Sequence, residues 1–144
     1  MTVRFKLLSS SARPPQRMTE HSAGCDLSAD LDADLILQPG ERTAVPTGLA
    51  LEIPPGFEGQ VRPRSGLALN LGLGILNSPG TVDSDYRGEI KVILVNASTE
   101  PVTVKPAMRI AQLVVCPVAE VQFEESDTLG GSCRSDGGFG HTGS

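Results

Sequence analysis

At 144 residues, with 39% hydrophobic and 20% charged side chains, the chain is about one domain long. A domain of that size can bury roughly 68–70% of the surface its unfolded chain exposes, which excludes a disordered chain, and no apolar run approaches the ~18 residues of a membrane span. Twelve Lys and Arg against seventeen Asp and Glu leave a net charge of −5, so broad nucleic-acid binding is disfavoured, whereas a small anion gripped by a few placed arginines is not.

Eleven prolines and sixteen glycines punctuate the chain and break nearly every window that a long helix could use. The start, MTVRFKLLSS, has only Leu7-Leu8 as an apolar stretch, too short for the core of a signal peptide. Short runs rich in Val, Ile and Leu then read as strands: 3–8, 35–37, 49–53, 57–62, 73–76, 90–96, 102–104 and 110–118. Leu49, Leu51 and Ile53 alternate with Ala50 and Glu52, the period of a half-buried strand. The run 90–95 is apolar on both faces except for Lys91, which predicts a strand covered on both sides. One helix of one or two turns is predicted near Arg64-Ser65, with Ser65 as its cap and Gly72 and Gly74 limiting it. Many short strands with Gly/Pro turns predict an all-β fold, a jelly-roll-like distorted barrel.

Aromatic residues are only 3% and Trp is absent, so the core must be aliphatic, and so aliphatic a barrel would gain by oligomerising. Residues 1–129 are expected to form the barrel and 130–144, with six glycines in fifteen residues, a flexible arm of the same domain. Cys25, Cys116 and Cys133 are odd in number and form no C-x-x-C, which points to reduced thiols and a cytoplasmic setting. His21 and His141 have no ligand-like spacing.

Five segments could carry chemistry. In Gly80-Thr81-Val82-Asp83-Ser84-Asp85-Tyr86-Arg87-Gly88 the polar residues are either good turn formers or, on an exposed loop of a rigid scaffold, a carboxylate placed as a general base. Pro63-Arg64-Ser65-Gly66-Leu67 is either a helix cap or an anion site where a guanidinium, a hydroxyl and backbone N–H groups converge. Ala23-Gly24-Cys25-Asp26-Leu27 puts a carboxylate in a turn beside a strand. Gln112, inside Arg109-Ile110-Ala111-Gln112-Leu113, is an amide between apolar neighbours and needs a partner, structural or ligand. The Gly-rich end is either disordered or a lid, with Arg134 as a charge and Phe139 as a face on which a base could stack. No Walker A, G-x-S-x-G or H-E-x-x-H pattern occurs.

In this order the five segments resemble the five motifs of the trimeric dUTPases, over residues 23 to 143: AGCDLSA from Ala23, PRSGLA from Pro63, NSPGTVDSDYRGEI from Asn77, RIAQLV from Arg109 and RSDGGFGHTG from Arg134. The resemblance implies a homotrimer of jelly-roll subunits with active sites shared between chains, and hydrolysis of dUTP to dUMP and pyrophosphate. That activity limits uracil incorporation into DNA and supplies dUMP for dTMP synthesis. By the same resemblance Asp83 activates the attacking water, and Arg64, Ser65, Gly66, Gln112, Arg134, His141 and Thr142 hold phosphates, with Gln112 and Ser65 close to the reaction. Asn77, Gly80, Thr81 and Val82 read the uracil edge, Tyr86 packs against the deoxyribose and Phe139 stacks on the base. Mg²⁺ is the implied cofactor, held mostly by the substrate phosphates and linked through water to Asp26.

Two positions depart from the family pattern. Ser135 stands where Gly is common, and His141 where Ser is usual, putting an imidazole near the γ-phosphate. Two other readings use the same scaffold: a silent dUTP sensor, which would lose the base, and a dCTP deaminase. The presence of Asp83 and Gln112 speaks for the enzyme over the sensor, and the Asp-x-Asp-Tyr segment against the deaminase.

Overall fold

The computed structural model describes residues 1–138. Ten strands and one short helix follow one another as β1 (Arg4–Leu7), β2 (Cys25–Ser28), β3 (Leu35–Leu37), β4 (Arg42–Glu52), β5 (Phe57–Arg62), α1 (Ser65–Leu71), β6 (Leu73–Ile75), β7 (Gly80–Val82), β8 (Glu89–Asn96), β9 (Val102–Val104) and β10 (Arg109–Pro117). One four-stranded sheet runs β1-β4-β8-β6, a second runs β2-β10-β5-β7, and β3 pairs with β9. Every pairing is antiparallel. The jelly-roll-like all-β expectation holds, as open sheets packed on each other rather than one closed cylinder among the described residues.

Between the sheets lies an aliphatic core in which Leu27, Leu49, Ile53, Val92, Leu94 and Ile110 are at most 2% exposed. Burying each such side chain contributes roughly 1.5–3 kcal/mol. Two polar residues sit inside with their needs met. Thr47 donates its hydroxyl to the Ile90 carbonyl at 2.6 Å. Asn96 donates to the carbonyls of Leu37 at 3.0 Å and Glu100 at 2.8 Å and accepts from the Ser98 N–H, which ties the end of β8 to β3.

Several elements differ from the sequence reading. The predicted strand at 49–53 is the end of a longer one that begins at Arg42. Pro46 and the left-handed Gly48 (φ 64°) fall where the pairing with β8 shifts register between Pro46 and Ala50, the irregularity at which a sheet tolerates proline. Strand β8 is buried on the face of Ile90, Val92 and Leu94, whereas Lys91 is exposed and Ile93 and Val95 are half-buried. Its second face is therefore covered only in part within one chain. Helix α1 is capped by Arg64 rather than Ser65, without a side-chain cap bond, and Ser65 is its first residue. It ends at Gly72, whose φ of 63° suits glycine. No helix of the described residues is long and apolar enough to cross a membrane.

Candidate active site

The site is built from three places far apart in sequence. Asp26 is not in a turn but in the middle of β2, its backbone bonded to Gln16 on one side and paired with Gln112 of β10 on the other. Strand β5 ends at Arg62, and the chain then passes through Pro63 and Arg64 into α1. Strand β10 supplies the third group, and there an irregularity decides which side chains point where. Between Arg109 and Ala111 the pairing with β2 slips by a residue. Ile110 and Ala111 are consecutive buried residues, flanked by half-buried Arg109 and Gln112. In a regular strand residues three apart face opposite ways. The extra residue puts Arg109 and Gln112 on one side, a common use of bulges beside functional sites.

The result is a cavity of about 290 Å³ lined by Met18, Asp26, Arg64, Ser65, Gly66, Arg109 and Gln112. The Asp26 carboxylate, only 11% exposed, takes Arg109 Nη1 on one oxygen at 2.8 Å and Arg64 Nε on the other at 3.3 Å. Arg64 Nη1 also donates to the main-chain carbonyl of Arg109 at 3.1 Å. Gln112 has its structural partner: its Nε2 donates to the Pro63 carbonyl at 2.9 Å, pinning the strand-to-helix passage. Gly24 is needed beneath it, since a Cβ there would stand 2.6 Å from Gln112 Oε1. Two guanidiniums, a hydroxyl and an amide around one carboxylate leave a net positive cradle suited to phosphate oxygens.

A second cavity, about 460 Å³, is lined by Asn77, Gly80, Thr81, Val82, Asp83 and Tyr86 together with Val61 and residues of β8. The segment read as a plain connection begins with a strand, β7, paired with β5 through Gly80 and Val61. Asp83 follows it as an exposed residue opening a tight turn, with the Tyr86 N–H donating to the Asp83 carbonyl at 3.1 Å. The Tyr86 hydroxyl donates to the Glu89 carbonyl at 3.0 Å, and its ring lies over Gly88, where a Cβ would collide with it. A flat ring is thus held at the mouth of the cavity by its own hairpin.

The structure therefore brings Asp26, Arg64, Ser65, Gly66 and Gln112 together, and Asn77, Gly80, Thr81, Val82, Asp83 and Tyr86 together, but no residue lines both cavities. Arg134 lies on an exposed stretch, its Nε donating to the Gly137 carbonyl at 2.8 Å, and belongs to neither group. Phe139, His141 and Thr142 lie outside the described residues. Arg109, Gly24 and Gly88 were given no role in the sequence reading. The signal was present for Arg109, a cation three residues before Gln112, but the bulge that turns it inward leaves no mark in the residue pattern. Cys25, Cys116 and Cys133 are free thiols.

For a divalent cation, the described residues include no cluster of three or more His, Cys, Asp or Glu. The cavity offers the single carboxylate of Asp26, already engaged by two arginines. That donor set fits a magnesium ion carried in largely on phosphate oxygens, which Mg²⁺ tolerates because it keeps several waters, and does not fit a cage made by the chain alone.

A model of the dUTPase family matches residues 10–143. The deoxyuridine 5'-triphosphate nucleotidohydrolase of Syntrophotalea carbinolica is 51% identical over 143 residues, covering 99% of this chain and 97% of that one. The corresponding protein of an Anaeromyxobacter species is 57% identical over 129 residues, covering 90% and 86%. Among solved structures, the dUTPase of Staphylococcus bacteriophage 80alpha with dUPNHPP superposes with a TM-score of 0.90 at 26% identity, covering 99% of both chains. Fold and relatives place the chain among the jelly-roll-like nucleotide hydrolases. Within that class it belongs to the dUTPase family, and it is an enzyme.

Proposed function

We propose that the protein hydrolyses dUTP to dUMP and pyrophosphate, and that the site works as a homotrimer in which each chain lends one cavity to a neighbour. The observation that carries this reading is the division of the site: a cationic cradle of Asp26, Arg64, Ser65, Gly66 and Gln112, and a separate hairpin pocket holding Asp83 and Tyr86. Two cavities with no lining residue in common suit a nucleotide offered one by each of two chains. The incompletely covered face of β8 and Leu69, Leu71 and Leu76 exposed around α1 supply apolar surface for such an assembly. The phage enzyme's dUPNHPP, a dUTP analogue, supports the choice of ligand.

The uracil sits at β7, where the backbone of Gly80 to Val82 and Asn77 meet its edge. A site that hydrogen-bonds one edge rejects the wrong base strongly, because its buried polar groups would be left unpaired. Tyr86, held by Glu89 and Gly88, closes on the deoxyribose and leaves no room for a 2′-hydroxyl. Asp83 accepts a proton from a water molecule as that water's oxygen bonds to the α-phosphorus. The bond from that phosphorus to the bridging oxygen breaks, and pyrophosphate leaves with the electron pair. A placed general base contributes typically ~10²–10⁴-fold. Arg64, Ser65, Gly66 and Gln112 hold the phosphate oxygens, Ser65 and Gln112 nearest the reacting group; by the family motif, phosphate contacts from the C-terminal segment fall to Arg134, His141 and Thr142 and the base contact to Phe139. A bound Mg²⁺ would supply positive charge to offset that on the departing group, and Asp26 is the residue that would hold it, through water. The activity would keep uracil out of DNA and provide dUMP for dTMP synthesis, and a cytoplasmic setting matches the free thiols.

The test is direct. Purified protein with dUTP and Mg²⁺ should release dUMP and pyrophosphate in equal amounts, and intact dUTP after prolonged incubation would end the reading. Mixing inactive Asp83→Asn and Ser65→Ala trimers after dissociation should restore activity if the two cavities come from different chains. No recovery would assign both to one chain.

A further inference from the structure

Arg64 is aimed by two contacts that both lead to Arg109. Its Nε meets Asp26 Oδ1 at 3.3 Å, and Asp26 Oδ2 is in turn held by Arg109 Nη1 at 2.8 Å. Its Nη1 donates to the Arg109 main-chain carbonyl at 3.1 Å. Two guanidiniums in one part-buried cavity repel each other, and the carboxylate between them offsets that repulsion while fixing both forks. The main chain of Asp26 is fixed by bonds to Gln16 on one side and pairing with Gln112 on the other, so its carboxylate starts from a set position between the two arginines. The bulge at Arg109 to Ala111 completes the arrangement by turning the Arg109 side chain to this face.

We propose that Arg109 is a positioning residue for phosphate binding: through Asp26 and its own carbonyl it holds Arg64 in place before the nucleotide arrives, and Asp26 serves this clamp without any metal. The proposal rests on the reading of the cavity as a phosphate cradle. Its physical basis is preorganisation: a guanidinium already oriented loses less side-chain freedom on binding, and two of Arg64's donors are occupied so that the others remain for phosphate oxygens.

The sign of one measurement separates this role from the alternatives. In simple Coulomb terms, removing a negative charge from a cavity that receives a triphosphate should tighten binding. Loss of a clamp should weaken it. Calorimetric titration of the full chain with dUPNHPP in EDTA is therefore expected to show Asp26→Asn and Arg109→Gln each weakening binding roughly tenfold, the scale of a lost charged hydrogen bond. The double variant should bind no more weakly than the worse single variant, because the two act as one unit. Arg109→Lys should recover only part of the loss, since an ammonium lacks the planar fork.

Asp26→Asn that binds as tightly as wild type or more tightly in EDTA, and loses only the increment added by Mg²⁺, would overturn the clamp and leave Asp26 as a metal link. Additive losses would overturn it too, making Arg109 a direct phosphate contact. Circular dichroism melts accompany each variant, and if Arg109→Gln is unfolded at the titration temperature, Arg109→Lys against Asp26→Asn decides. Wild-type protein that binds no dUPNHPP with or without Mg²⁺ would instead remove the phosphate reading on which the clamp stands.

Discussion

The two cavities are built on opposite plans. Around Asp26 three of the cradle's side chains are held by fixed partners: Asp26 by two arginines, Arg64 also by the Arg109 carbonyl, Gln112 by the Pro63 carbonyl. The hairpin after β7 is mostly exposed, and Asp83 lines its cavity with no side-chain bond, although Tyr86 and Arg87 are held by main-chain carbonyls. The contrast fits the proposed division of work. Phosphate charge is best met by groups that do not reorganise when it arrives, whereas a base that must touch water has to stay accessible. Rigidity in one half and openness in the other let a single scaffold do both.

Changes in the open half should mainly reduce turnover, and changes in the rigid half should reduce both binding and turnover. Asp83→Asn is expected to lower kcat ~10²–10⁴-fold while dUPNHPP still binds in calorimetry; near-normal kcat would remove Asp83 as the base. Ser65→Ala, which takes one donor from the cradle, should lower kcat/KM by ~10²–10³, read by pyrophosphate release. Removal of residues 130–144 should leave the trimer intact in sedimentation but lower activity by at least about tenfold, the loss of a lid's contribution to positioning. Full activity would make the arm incidental. Gly88→Ala should push the Tyr86 ring off its place and narrow the preference for dUTP over UTP by roughly tenfold, about 1.4 kcal/mol of discrimination. An unchanged ratio would show that the ring does not guard the sugar.

The smallest expected effect concerns the arm. Imidazoles as a class gain charge as pH falls through the physiological range, so a His141 contact to phosphate should raise triphosphate affinity roughly two- to fivefold between pH 8 and 6, the ~0.5–1 kcal/mol of an exposed charge pair. The rise should vanish in His141→Ser. The same pH profile in both proteins would leave His141 without a part in it.

Much of this was readable in the chain itself. Alternation and turn residues located β3, β5, β9 and most of β8 and β10, because a strand bounded by Gly and Pro and buried on one face has few other ways to be written. The five segments named residues that the fold gathers around two cavities, Asp26, Arg64, Ser65, Gly66 and Gln112 at one and Asn77, Gly80, Thr81, Val82, Asp83 and Tyr86 at the other. Less was readable where geometry departs from the regular period. The strand read from Leu49 begins at Arg42 and carries a register shift between Pro46 and Ala50; Ser65 looked like a cap and is the first helical residue; Asp26 looked like a turn residue and lies within a strand.

The residue pattern alone determined that the chain is aliphatic and strand-built with an acidic hairpin, because hydrophobic period and side-chain chemistry are local properties. Tertiary structure decided that Arg109 joins Arg64 on Asp26, and that the cradle and the hairpin form two cavities rather than one. Those outcomes depend on a one-residue slip in the pairing of β10 with β2, between positions more than eighty residues apart, and on which other strands become neighbours, all of them contacts distant in the chain.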